Sequence, residues 1–190
     1  MTKSLKVLFF LFFLVINSSA QNTSLDVVSN TKKNSHLIFT NGDIEFRKVQ
    51  KRGELFSTIN ADGFSKSYYI GNPDLPVYSK LIEIPSSGDV YISIINKSET
   101  YIDLTDLGFS DKLIPSQPSI SKSEDPNDVE FSFNEKVYKT DEFYANELIS
   151  VERLGTMRER TLARIQISPF AYNPITNSIK VIDDLEFMIE

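Results

Sequence analysis

From residue 36 onward the apolar residues of this chain recur at every second position, in short runs broken by Gly, Pro, Asn and Asp. Neighbouring side chains on an extended strand point to opposite faces, so each run makes a strip with one apolar side. The clearest runs are 161–168, with Ala163, Ile165 and Ile167 on one face, and 179–189, with Leu185, Phe187 and Ile189 set against Glu186 and Met188. Others lie at 36–40, 43–50, 55–59, 77–84, 90–95 and 101–104. Strands at roughly ten-residue spacing, with turn residues between them, predict an all-β fold, an antiparallel β-sandwich of jelly-roll-like form.

The connections can be read in the same way. Asn41-Gly42 predicts a type I′ hairpin joining 36–40 to 43–50. Residues 96–99 read as a polar turn, and 169–177 (PFAYNPITN) as a tight corner that makes a hairpin of the last two runs. Residues 136–146 leave room for one short helical turn. Between them, 106–128 holds Pro115, Pro118 and Pro126 among serines and mixed charges. A loop of that length without periodicity is uncommon in a compact domain and is usually functional or disordered.

The N-terminus follows another logic. Lys3 and Lys6 precede an unbroken apolar run at 7–16, and small residues end at Ala20. Residues 1–20 therefore read as a cleavable signal peptide, cut between Ala20 and Gln21. The run is about half of what a bilayer-spanning helix needs, so no membrane attachment is expected after cleavage. Residues 21–35 are polar and aperiodic and are expected to be a flexible lead-in. Residues 36–190 remain as one domain with a real core.

Composition removes most chemistry. The chain has no Cys and one His, and 20 Lys+Arg against 26 Asp+Glu give a formal net charge of −6. Without Cys there is no disulfide framework, thiolate zinc site or cysteine nucleophile, and one His cannot build a triad or a multi-histidine metal site. The acidic balance argues against nucleic acid as a partner. His36 reads as a strand-end residue. Asp183-Asp184 cannot act as a catalytic dyad, because adjacent strand residues face opposite ways; a bulge or an edge is expected there. Arg153, Arg158, Arg160 and Arg164 suit surface ion pairs. No cofactor is expected. If any ion bound, the acidic stretch at 124–130 would hold calcium through Asp125, Asn127 and Asp128, although it lacks the glycine and register of an EF-hand.

Two stretches carry a resemblance. Gly71-Asn72-Pro73-Asp74-Leu75-Pro76-Val77, followed by Ile82-Glu83-Ile84-Pro85, resembles one segment of the propeptides of gingipain-type, caspase-like cysteine peptidases of Bacteroidetes. Leu154-Gly155-Thr156-Met157-Arg158, Arg160, Ala163, Ile165, Ile167, Pro169 and Tyr172-Asn173-Pro174 resemble a second, in the same order. The similarity extends over roughly 40–190. Physically, the first stretch fixes the start of an edge strand, and Tyr172-Asn173-Pro174 makes a rigid corner whose Asn can bond its own backbone.

The resemblance implies a non-catalytic prodomain of a secreted cysteine endopeptidase. Such a domain assists folding, masks the active site in cis and is cut away on maturation. It implies export through the periplasm by the type IX route to the medium or cell surface. It also implies a mid-domain loop that sends a basic side chain into the enzyme's primary pocket. Lys122 is the candidate plug, with Ser121, Ser123, Glu124 and Asp125 as the partner-binding loop and Lys112 and Lys136 as alternative cations. Two other readings stay open. One is an exported adhesive or glycan-binding sandwich that stacks sugars on Tyr68, Tyr69, Tyr91 and Tyr101. The other is a structural N-terminal domain of a large surface protein.

Overall fold

The computed structural model describes residues 21–31, 33–84, 89–125, 129–158 and 160–190; the leader read at 1–20, including Ala20, lies outside them. The chain is all-β, with antiparallel sheets. A six-stranded sheet contains β1 (Ser24–Asn30), β2 (Ser35–Thr40), β7 (Ile92–Asp103), β8 (Tyr144–Ala145), β11 (Phe170–Asn173) and β12 (Ser178–Ile189). A four-stranded sheet runs in the order β5 (Phe64–Ser65), β6 (Val77–Ile84), β10 (Arg160–Ile167) and β9 (Ile149–Met157). Strands β3 (Ile44–Lys51) and β4 (Glu54–Ala61) form a separate hairpin, and α1 (Glu135–Tyr138) is a single turn. The two large sheets face one another. Their alternating residues interdigitate: Leu37, Phe39, Leu185, Phe187 and Ile189 from one, Ile82, Ile84, Ala163, Ile165 and Ile167 from the other. A second core at one end gathers Ile59, Leu75, Leu104, Leu113, Tyr138, Phe170, Tyr172, Ile179 and Val181.

Strand β12 carries the larger sheet. It pairs with β7 along its whole length on one side, and with β11 and then β2 on the other. The register slips at Asp183, so the Asp183-Asp184 pair is a bulge, as its sequence suggests. Asp183 accepts from Thr100 Oγ1 at 2.8 Å, while Asp184 accepts from Thr40 and Ser98 at 3.1 Å.

Four expectations change. Asn41-Gly42 does not close a hairpin: β2 already has β1 on one edge and β12 on the other, leaving no edge for β3. The chain instead crosses between sheets there, strapped by Asn41 N–H to the Asp183 carbonyl (2.7 Å) and Asp43 N–H to the Gln21 carbonyl (3.0 Å). The two-residue hairpin lies at Arg52-Gly53, whose φ angles of 50° and 81° are those a type I′ turn demands. Second, residues 169–177 do not join β10 to β12 as a hairpin, because those strands lie in opposite sheets. Pro169 has no N–H to continue the β10 ladder, and Phe170–Asn173 forms its own strand against β12. Third, residues 96–99 are not a turn; they continue β7, and the Ser98 hydroxyl holds the bulge on β12. Fourth, the lead-in at 21–35 contains β1, which pairs with β2 and buries Leu25. One apolar residue suffices to dock a strand whose other residues face solvent, and that is why no alternation marks it.

Gly42 shows how tight the crossover is. A Cβ there would lie 2.5 Å from the Thr23 amide nitrogen and 2.6 Å from the Gln21 carbonyl oxygen, both backbone atoms. Gly42→Ala is therefore expected to cost about 1–3 kcal/mol, the usual range for overpacking, read as a lower urea midpoint with unchanged slope. The exposed control Leu81→Ala should stay within about 0.5 kcal/mol.

Candidate functional site

The segment between β7 and α1 begins as a buried thread. Leu113 is fully buried although its neighbours form no strand or helix. Its N–H donates to Tyr172 Oη (3.3 Å), and its carbonyl accepts from Tyr138 Oη (2.8 Å). Ser57 N–H donates to the Lys112 carbonyl, and Ile114 N–H donates back to the Ser57 carbonyl, both at 2.9 Å. Beyond Ile114 the partner changes to the Gly71–Pro76 stretch. Asp74 N–H donates to Ile114, Ser116 N–H to Asn72, and Gly71 N–H to Ser116, at 2.8–2.9 Å. Burial pushes the Tyr172 phenol up to about 12 and that of Tyr138 higher still. Both hydroxyls therefore remain neutral donors near neutral pH.

Gln117 closes the base of a protruding loop. Its Nε2 donates to the Ser132 carbonyl (2.8 Å), and its Oε1 accepts from Ser132 N–H (3.0 Å), as a paired strand residue would. Asn134 N–H donates to the Gly71 carbonyl at 2.8 Å and caps α1 with its side chain. The outgoing limb at Gln117 and the return limb at Ser132 are thus joined at one neck. The return limb rests on the β3–β4 hairpin, with Arg52 donating to the Val129 carbonyl and Phe131 packing on Phe56 at 5.8 Å.

The tip of this loop carries Lys122 and its neighbours. Glu124 N–H donates to the Ser121 carbonyl (3.1 Å), making a tight turn with Lys122 at its first corner. The Glu124 carboxylate accepts from Ser121 N–H (3.1 Å), and the Ser121 and Ser123 hydroxyls lie 3.0 Å apart. Ser121, Lys122, Ser123, Glu124 and Asp125 are all exposed. Lys122 has no ion-pair or hydrogen-bond partner among the described residues. Asn127 and Asp128, the other calcium candidates, lie outside the described residues, and no group of three or more metal-binding side chains converges among those described. Of the alternative cations, Lys112 lies over the Tyr138 ring at 6.0 Å and Lys136 is exposed on α1.

The remaining candidates resolve simply. His36 Nε2 meets Glu186 at 2.8 Å. Arg164 pairs with Glu152 and Arg160 with Glu83 at the surface. Asn173 Oδ1 accepts from Ile175 and Thr176 N–H, the self-bonded corner expected of Tyr172-Asn173-Pro174. Gln117, Ser132, Tyr138 and Tyr172 escape a reading by periodicity, because their roles are to satisfy backbone groups far away in sequence.

The Propeptide_C25 family model matches residues 18–190. This chain belongs to that family. Lys-gingipain HG66 of Porphyromonas gingivalis is 32% identical over 174 residues, covering 92% of this propeptide and 10% of that relative's length. Gingipain R1 of the same organism is 20% identical over 115 residues. A solved structure bearing on the zymogenic latency of gingipain K from P. gingivalis superposes with a TM-score of 0.79 at 32% identity, covering 89% of this chain and 92% of that one. The complex of P. gingivalis RgpB pro- and mature domains shares the fold, with a TM-score of 0.73 at 16% identity. The propeptide has no cysteine and is a prodomain, not a catalytic unit.

The neck can be tested in two ways. Gln117→Ala removes both bonds to Ser132 and should speed amide exchange at Ser132 and Asn134 at least tenfold, with β10 and β12 unchanged. The second concerns Asp74, whose half-buried carboxyl braces Ser67 N–H at 2.9 Å; its pKa is raised by burial, against the lowering influence of that bond and of Lys66. A raised folded pKa means that the native state holds the proton more firmly than the unfolded chain. Stability is therefore lost as pH rises from the ordinary carboxylate value through the folded one. Denaturation between pH 4 and pH 7 should show wild type losing stability relative to Asp74→Asn, whose amide oxygen can keep the bond.

Proposed function

We propose that this prodomain masks the active site of a gingipain-like cysteine endopeptidase by setting Lys122 into its primary specificity pocket, and that it assists the folding of that enzyme until it is cut away. The observation that carries the reading is an exposed lysine, without a partner among the described residues, at the corner of a braced turn on a loop pinned at its neck. Pinning lowers the freedom lost on docking. A lysine entering an acidic pocket would form a charge-assisted pair shielded from water, which in solution it lacks. The tight turn also supports inhibition over cleavage, since its corner is not the extended backbone that pairs with a strand-like cleft. The similarity to the gingipain K structure on zymogenic latency favours the same role here. The catalytic domain in cis, export through the periplasm after loss of residues 1–20, and arrival at the medium or cell surface by the type IX route belong to this reading. Among the described residues no helix is long and apolar enough to cross a membrane.

Titrating the secreted form of the chain against mature Lys-gingipain tests the proposal. Inhibition is expected, with Lys122→Ala weakening it by about 2–5 kcal/mol, roughly 30-fold or more. Inhibition by Lys122→Ala within threefold of wild type would remove Lys122 from the pocket, and no inhibition by wild type would overturn the masking role.

A further inference from the structure

We infer that Tyr68, Tyr69 and Ile70, with Phe133 beside them, form the shelf on which the catalytic domain of the peptidase seats around Lys122. The inference rests on the masking role proposed for Lys122 and says where most of the contact is made.

Three consecutive large apolar side chains stand in solvent here, 69%, 52% and 46% exposed, and Phe133 is 39% exposed. Scattered exposed apolar residues are ordinary, whereas a contiguous patch marks an interaction surface. This one is rigid. Tyr69 N–H donates to Ser67 Oγ (3.3 Å), and Asn72 N–H donates to the Tyr69 carbonyl (3.1 Å). The Ser67 carbonyl accepts from buried Ser116 Oγ at 2.6 Å, and Ser67 N–H is held by Asp74. Phe133 is fixed by stacking on buried Tyr138, with centroids 4.3 Å apart and planes at 21°. Aromatic groups held in place before binding lose little entropy in contact, the property that suits them to interfaces.

Position selects the occupant. The shelf abuts the neck of the Lys122 loop directly. Gly71, the next residue after Ile70, bonds Ser116 on the outgoing limb and Asn134 on the return. A Cβ on Gly71 would lie 3.3 Å from Asn134 N and 3.6 Å from the Phe133 backbone, so the two parts of the shelf meet there. On this inference, a body that takes Lys122 into a pocket reaches back to the neck and over this ground. A lone cation gives an interface its specificity, while surrounding apolar contact keeps water from it. A second copy of this chain is the weaker candidate, because its formal net charge of −6 sets like against like.

The test compares Tyr68→Ser/Tyr69→Ser with Tyr91→Ser, each in the secreted form of the chain, as inhibitors of mature Lys-gingipain. Tyr91 is 64% exposed but bonds Glu190 at the opposite end of β12 from the neck. The double variant should raise the inhibition constant at least tenfold, leave the thermal midpoint unchanged and show no self-association difference by sedimentation. Tyr91→Ser should stay within threefold. If the double variant inhibits like wild type while Lys122→Ala does not, the shelf is overturned and the masking role stands. If wild type itself fails to inhibit, both fall. If the double variant only breaks up a self-associated form, with inhibition unchanged, the shelf belongs to a second copy and the inference is overturned.

Discussion

From the Lys112 carbonyl to the Ser116 carbonyl, every backbone donor and acceptor has a partner, although this stretch belongs to no strand or helix. Burying irregular backbone is costly unless each group is satisfied, and here the partners come from widely separated parts of the chain. Ser57 lies on the β3–β4 hairpin, Tyr172 on β11, Tyr138 on α1, and Asn72 and Asp74 on the turn before β6. These contacts tie the hairpin, the larger sheet and the Gly71–Pro76 stretch to one thread. Leu113 at its centre fills the second core between Tyr138 and Tyr172. The loop above it takes its stance from this thread.

Where two faces of a strand differ in environment, the fold is legible in the residues. In β10 and β12 the alternation of Ala163, Ile165, Ile167 and of Leu185, Phe187, Ile189 names the buried side correctly, since the sandwich buries one face of each. Pairing is less legible. Asn41-Gly42 has the chemistry of a hairpin, but the edge it would use belongs to β12; Arg52-Gly53 looks less like a turn, yet Arg52 takes a φ of 50° and Gly53 one of 81°, the strand pairing on either side setting the corner. A dipeptide encodes what the backbone can do locally, and strand partners are decided by longer-range burial. The same reasoning covers β7, whose Asn, Lys, Ser and Glu read as a turn because so much of this edge strand faces water.

The site divides likewise. Proline and serine content identifies residues 106–128 as a loop that needs an explanation, and the basic and acidic residues at its tip stand out. Its anchoring is illegible because Gln117 and Ser132 carry no periodic signal and tyrosine hydroxyls leave none. The Gly71-Asn72-Pro73-Asp74-Leu75-Pro76 stretch is legible as a unit, and its contacts explain its composition. Gly71 allows the close approach of Phe133 and Asn134 at a φ of 83°, Asn72 links Tyr144 and Asn134 through its side chain, and the prolines leave backbone groups free to pair sideways with 114–116.

The anchoring also bears on how such a domain lets go. The bonds at the neck and along the buried thread beneath it come from backbone amides, Gln117, and tyrosine hydroxyls that burial keeps neutral, so they do not titrate near neutral pH and are little screened by salt. The surface ion pair of Arg164 with Glu152 contributes little and lies on the four-stranded sheet. Asp74 is the one brace with a titrating group among those described for the neck, and its raised pKa makes protonation stabilising. Acidification therefore favours the folded state by relieving the buried charge, while the Ser67 N–H bond itself is stronger to the ionised carboxylate. A neck of this kind holds its shape through changes of salt and modest acid. If the tip and the shelf engage a partner as proposed, its release comes from breaking those contacts or from cutting the chain, and not from unlocking the loop at its base.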